Sequence, residues 1–366
     1  MRLQYEYAAD DWNLINIKNV NFVEQLLNHA KSRDVKLKFL YPFHSAAKNG
    51  DIDTVKTYIL EGEEVDSVSY SGATLLHYAA HSGHFGIVDY LINNGADVNV
   101  KNSYGYSALM LAAYEGHANI VKTLINKGAN VNEKNEKNGD ITAVLAALRG
   151  RNNEVVHLLL KNGAILNADN EIVKKTIVRT SSKGQIGLLR TLLENGADAN
   201  SEDKNEDFVT ALAQATHNRH IDVIRLLIKY GADVNAKFDQ GQGTALCLAN
   251  NIDVARILIE NGANVNENLP GITILQQVMT YEDLNLMRFL LENGADPNSK
   301  IASDNSTSLM WAVSMKCPEM IHLLIEKGAD VNMKDKNGNT ALSLAKRGGL
   351  SNIVQLLEKS LQVRKR

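Results

Sequence analysis

Histidine and cysteine are the residues in this chain best equipped for nucleophilic or metal chemistry, and their spacing supports neither. The 366 residues include ten His and two Cys. Cys247 and Cys317 form no Cys-x-x-Cys pair, so they build neither a zinc site nor a disulfide framework. Two isolated thiols fit a reducing compartment and are expected to be buried and inert within the first helices of separate units. No His-Glu-x-x-His, Gly-x-x-x-x-Gly-Lys-Ser/Thr, Gly-x-Ser-x-Gly or kinase motif set occurs. Contact chemistry has a more concentrated source. Tyr70, Tyr78, His81, Tyr104, Tyr106 and Tyr114 lie within one short stretch, and tyrosine joins a rigid apolar ring to one polar tip. Trp311, followed by Met315 and Lys316, offers a second anchor of the same kind.

The composition narrows what could hold these side chains. Lys plus Arg number 39 and Asp plus Glu 42, a formal charge of −3. That balance argues against a dedicated nucleic-acid binder. No apolar run approaches the ~18 residues of a membrane span, and Met1–Tyr7 has no apolar core of a secretory leader. The length exceeds that of one ordinary core, near ~250–300 residues. Yet the chain has four prolines and no Pro/Ser-rich joint.

Self-similarity resolves the missing joints. Gly-Ala-Asp-Val-Asn recurs at Gly95–Asn99, Gly231–Asn235 and Gly328–Asn332, with variants at Gly62, Gly128, Gly163, Gly196, Gly262 and Gly294. The steps are 33, 33, 35, 33, 35, 31, 32 and 34 residues. A second landmark keeps phase: Thr74-Leu-Leu-His-Tyr-Ala-Ala80, Ser107-Ala-Leu, Thr142, Thr210-Ala-Leu, Thr244-Ala-Leu, Thr273, Thr307 and Thr340-Ala-Leu. Each period reads as one unit. The Thr74 hydroxyl is placed to cap a first helix, and Leu76, Ala79 and Ala80 give it a narrow apolar face. Gly83 provides a left-handed turn. Ile87, Val88, Leu91 and Ile92 form the buried stripe of a second helix. Gly95 ends it, and Asp97-Val98-Asn99 opens an extended turn in which Asp and Asn bond the local backbone.

Thr-x-Leu-His-x-Ala-Ala at 74–80, the Gly83-His84 turn and the Gly-Ala-Asp-Val-Asn strings resemble the ankyrin-repeat family over nearly the whole chain. The resemblance implies an all-α solenoid with short β-hairpin tips, about ten repeats and a degenerate N-terminal capping unit. The expected division is 1–38 for that unit, 39–336 for repeats one to nine and 337–366 for a C-terminal capping repeat with a basic tail. Polar caps are required at the ends of such an array. Three departures stand out. The proline usual after the family's threonine is absent, as at Leu75, Ala108 and Ala143. The unit at 167–196 is irregular, and the one at 235–262 has a shortened first helix or turn. These are the places where curvature is expected to change.

The resemblance also implies function: a non-catalytic protein–protein interaction module that takes a protein partner on its concave face. No enzyme activity, cofactor, metal, nucleic acid or membrane insertion is expected, and the expected state is a cytoplasmic monomer. His77, His84 and His117 match structural positions of the family. The expected partner contacts are Tyr70, Tyr78, His81, Tyr104, Tyr106, Tyr114, Trp311 and Lys316. The 40 asparagines, with abundant Lys and Ile, tilt the setting toward an intracellular microbe or virus and a host-directed effector. The alternative role is an inhibitor that occludes an enzyme or a transcription factor.

Overall fold

Ser and Thr landmarks open helices. Ser107, Thr210, Thr273 and Thr307 each accept a hydrogen bond from the backbone N–H three residues on, at 3.3, 3.1, 3.3 and 3.4 Å. An orphan donor of the first turn is thereby satisfied. Glycines close several of these helices, as Gly83 does at φ 83° and Gly116 at φ 88°. A second helix follows within a few residues and ends at the Gly of the next Gly-Ala string.

The computed structural model describes residues 41–363 apart from 70, 204–209, 239–242, 268–271 and 302. The expected unit at 1–38, Tyr70 and the last three residues of the basic tail lie outside the described residues. Within them, ten helix pairs follow one another. The first, inner helices are Tyr41–Asn49, Leu75–Ser82, Ala108–Glu115, Ala143–Gly150, Glu171–Ser182, Ala211–His217, a four-residue 3-10 turn at Ala245–Leu248, Ile274–Met279, Ser308–Ser314 and Ala341–Arg347. The outer helices are Ile52–Leu60, Phe85–Asn93, Ala118–Asn126, Asn153–Lys161, Ile186–Glu194, Ile221–Lys229, Ile252–Glu260, Leu284–Glu292, Pro318–Glu326 and Ser351–Val363. Short antiparallel fingers project between pairs. One pairs Lys237–Phe238 with Gly243–Thr244, and others close on single bridges such as Lys101 with Ser107 and Lys300 with Thr307.

Packing sets the curvature. Inner helices through the first six repeats pack far more extensively on one another than outer helices do. Ala79, Ala80, Ala112, Ala113, Ala146 and Ala147 are buried at these contacts, and their small side chains let the backbones approach. The outer row stacks through larger residues, Ile87, Val88 and Leu91 against Ile120, Val121 and Leu124. Each such burial is worth about 1.5–3 kcal/mol. A stack tight on one side and wide on the other bends toward the tight side, so the inner helices line the concave face.

Hydrogen bonds between repeats stitch both edges. On the finger edge, one Asn serves two groups of the next repeat. Asn235 donates from Nδ2 to Gly262 O at 3.0 Å and accepts at Oδ1 from Asn264 N at 2.8 Å. Asn99, Asn132, Asn200, Asn266 and Asn298 do the same. On the turn edge of the second, third, fourth and sixth repeats, the residue opening the outer helix donates back to the preceding repeat. His84 bonds Lys48 O at 2.8 Å, His117 bonds His81 O at 2.9 Å and His220 bonds Ser182 O at 3.0 Å. Asn152 does this toward Tyr114 O. A Cβ on Gly83 would lie 2.6 Å from the His117 ring, so this turn needs glycine for contact as well as for φ.

Both stitches are missing at one junction. Between the fourth and fifth repeats, Asn167 Oδ1 accepts from Asp169 N of its own turn at 3.1 Å. Gln185 stands where His84, His117, Asn152 and His220 act as turn donors, and among the described residues neither side chain bonds across. The reason is local. Asn170 accepts from Ile172 N at 2.9 Å and starts the inner helix directly, giving it 12 residues where Leu75–Ser82 has 8. No finger intervenes.

This contrast gives a stability prediction. Replacing Asn235 by Ala removes two inter-repeat bonds and should cost about 1–2 kcal/mol in denaturant unfolding. Asn167→Ala should stay within about 0.5 kcal/mol, because its side chain holds no neighbouring repeat.

Candidate functional site

The finger of the third repeat is shaped by one buried side chain. Asn102 Oδ1 accepts from Tyr104 N and from Tyr106 N, both at 3.0 Å. This tight turn turns Tyr104 outward, 59% exposed, at the tip. Tyr106 is half-buried, and its hydroxyl receives the side-chain amide of Asn138 from the next finger. Tyr114 stands at the far end of the inner helix Ala108–Glu115 and is exposed. The eight residues of Ala108–Glu115 give about 12 Å of rise. Tyr104 and Tyr114 thus mark opposite margins of one repeat.

Tyr78 and His81 of the preceding repeat behave differently. Tyr78 is half-buried, with its ring edge-on to His44 at 5.6 Å and its hydroxyl donating to Ser69 Oγ at 3.2 Å. His81 Nε2 lies 3.3 Å from Glu115 Oε1. Burial holds its imidazole below the usual range, while Glu115 pulls the other way. Trp311, at the place corresponding to Tyr78, is half-buried and packed on the core. Lys316 is exposed in a left-handed turn at φ 55°. The tyrosines therefore divide into two that pack, Tyr78 and Tyr106, and two that face solvent, Tyr104 and Tyr114.

The thiols also divide. Cys247 is buried beside Thr244, and burial pushes its thiol up, which suppresses the reactive thiolate. Cys317 corrects the expectation of a buried first-helix residue. It is half-buried and opens the outer helix Pro318–Glu326, with Sγ 3.6 Å from Glu319 Oε2. Pro318 sets the first helical position there, which shifts Cys317 into the turn.

His77 is a structural pin. Thr74 N donates to its Nδ1 at 3.1 Å, and the Thr74 hydroxyl lies 2.8 Å from the same atom. Nδ1 therefore accepts, which leaves Nε2–H to donate to Tyr106 O of the next repeat at 3.0 Å. Burial lowers its pKa to about 4. Gln276 reproduces the local half of this arrangement, accepting from Thr273 N at 2.9 Å. Among the described residues no helix is long and apolar enough to cross a membrane.

Comparison with known proteins follows this geometry. A family model of ankyrin repeats (three copies) matches residues 13–102, 43–135, 177–269 and 274–365. The chain is 31% identical over 119 residues to the ankyrin repeat and KH domain-containing protein mask-1 of Caenorhabditis elegans, covering 31% of this chain and 4% of that protein. It is 33% identical over 109 residues to the fowlpox virus protein FPV031, named as an ankyrin repeat protein, covering 29% of this chain and 31% of that one. The matched segments thus span less than a third of either relative. The ankyrin repeat domain of human ASB11 is a structural neighbour at TM-score 0.46 and 27% identity, over 61% of this chain and 98% of that domain.

A pH dependence follows from His77. With 6.5 for the unfolded chain and about 4 in the fold, the unfolded state binds the extra proton between these values. Its stabilising contribution is complete above pH 6.5 and is lost as pH falls toward 4. Between pH 7 and pH 5 the loss from this group should be roughly 2 kcal/mol. Urea unfolding of His77→Gln, which keeps the Thr74 contact in the manner of Gln276, should show a pH response smaller by that amount.

Proposed function

The chain belongs to the ankyrin-repeat family, and on that premise we propose that it is a non-catalytic module gripping a protein partner on its concave face. Ankyrin repeats indicate a protein-interaction module, and the family fold is generally non-enzymatic. Stacked repeats offer one continuous face from finger tips to inner helices, long enough to exceed a standard interface of ~800 Å² per partner. The observation that carries the reading is the exposure of Tyr104 and Tyr114 on either margin of one repeat, because rigid aromatics make the central anchors of interfaces. Tyr70, Tyr78, His81, Tyr106, Trp311 and Lys316 are proposed as the surrounding contacts. Their setting in this proposal is a reducing intracellular compartment, whether of the source cell or of a host.

A pull-down with wild type beside Tyr104→Ala/Tyr114→Ala tests the reading. Both side chains face solvent, so the melting temperature should move little, while captured partners should fall by about tenfold or more. Partners retained undiminished on the variant would remove the tyrosine margins from the site.

A further inference from the structure

The concave face and its turn edge carry a concentration of positive charge over repeats four to six. Arg149 and Arg151 end the inner helix Ala143–Gly150, and Arg219 occupies the turn after Ala211–His217. Between them, the inner helix Glu171–Ser182 presents Lys175 and Arg179, with Lys183 as its C-terminal cap. Spacings of four residues put these three on one stripe, opposite the buried Val173, Thr176, Ile177 and Thr180. Among the described residues none of these six cations makes an ion pair. Cations elsewhere do: Lys237 meets Glu267 at 2.8 Å, Lys327 meets Glu292 at 3.0 Å and Lys346 meets Glu358 at 2.8 Å. Burial of the half-buried Arg179, and secondly the positive charge of Arg151 nearby, disfavour its own charge. The two arginines belong to adjacent repeats at a junction that lacks both inter-repeat stitches.

Helix C-termini favour a cation, which accounts for Arg149 and Lys183. It does not account for Arg151 and Arg219. They sit at φ 60° and 58°, where other repeats place Gly50, Gly83, Gly116 and Gly184, and where Glu282 and Lys316 take the same conformation. A side chain in that conformation is strained relative to glycine, so the two arginines stand there at some cost to the fold. Carboxylates bound the patch, and Glu171, four residues before Lys175 at the start of the same stripe, pairs with Lys174 at 4.0 Å. Glu115 lies on one side, engaged with His81, and Glu282 and Asp283 occupy the corresponding turn of the eighth repeat. Glu154 and Asp222 are in the first turns of outer helices, where negative charge suits the helix N-terminus.

We infer that this patch is a docking site for a short acidic segment of a partner polypeptide. It rests on the concave-face reading above and assigns that face a ligand chemistry. Three inner helices at ~8–10 Å spacing span about 20 Å, matching about six to eight extended residues at ~3.3 Å each. Guanidiniums bind carboxylates in paired hydrogen bonds. A segment lying across Arg151 and Arg179 relieves their repulsion and joins repeats four and five through its own carboxylates. The acidic margins and the net charge of −3 disfavour a long polyanion, whose charge recurs every ~1.7 Å along a duplex.

The test is a fluorescence anisotropy titration of a labelled peptide of about eight alternating Asp and Glu residues. It compares the full chain with Arg149→Glu/Arg179→Glu and with Arg151→Gly/Arg219→Gly. The glycine variant adopts the turn freely, so misfolding does not explain a loss there. Saturable binding that both variants weaken about tenfold or more, with no binding of an uncharged peptide, supports the site. Undiminished affinity in both variants overturns it, as does tighter binding of a single-stranded oligonucleotide of equal charge. Tyr104→Ala/Tyr114→Ala separates the two readings. Partners lost with peptide affinity intact supports both, whereas partners retained with peptide affinity still sensitive to charge reversal rejects only the tyrosine margins.

Discussion

A helix ends with backbone groups that its own turns cannot satisfy, and the ten helix pairs of the described residues have many such ends to terminate. The solution is that repeats complete the hydrogen bonding of their neighbours, in two directions at once at several junctions and in one direction at others. At the turn edge the later repeat donates backward, as His117 does to His81 O. At the finger edge the earlier repeat donates forward, as Asn235 does to Gly262 O. A single repeat in isolation would leave carbonyls bare on both edges and its Leu, Ile and Val stripes half exposed. Stability is therefore a property of junctions between repeats, and the number of repeats follows from that need.

Much of this was readable in the amino-acid order, because periodic burial demands periodic residues. The Thr and Ser landmarks cap helices because a hydroxyl at that place reaches an orphan N–H, and Gly83 and Gly95 adopt positive φ at helix ends. Asp97 bonding Asn99 N at 2.9 Å is the local turn chemistry that its spelling implies. The second job of Asn99, bridging to Gly128 O, depends on a partner 29 residues away, and local pattern carries no trace of it. The same holds for His77, whose burial is completed by the following finger. Cys317 was misplaced because the turn of its repeat runs through Ser314, Met315 and Lys316 without the glycine that marks others. The tyrosine grouping could be read only as proximity in sequence. The division into packed Tyr78 and Tyr106 against exposed Tyr104 and Tyr114 arises from Ser69, His44 and Asn138, none of which shares a motif with them.

Irregularity in the middle of the array has one origin. Asn170 starts a helix where other repeats build a finger, so Asn167 turns inward on its own loop and loses its reach to the next repeat. The lengthened helix carries Lys175 at the place where Thr74 caps a shorter one, while Arg179 stands where the shorter helices have Tyr78 and Trp311. A change in backbone start position thus alters both the cohesion of the array and the charge it presents.

Seen as a mechanical object, the solenoid is a coil sewn unevenly: among the described residues neither edge is stitched between the fourth and fifth repeats, and only the finger edge is stitched from the sixth to the ninth. Inner-helix packing is also thinner between Ala143–Gly150 and Glu171–Ser182 than across the preceding junctions. Elastic strain from pulling or twisting the two ends concentrates in the compliant turns, of which the unstitched junction near the midpoint is one and the thinly packed surroundings of Ile274–Met279 another. Curvature of the concave surface is therefore set junction by junction and not uniformly along the array.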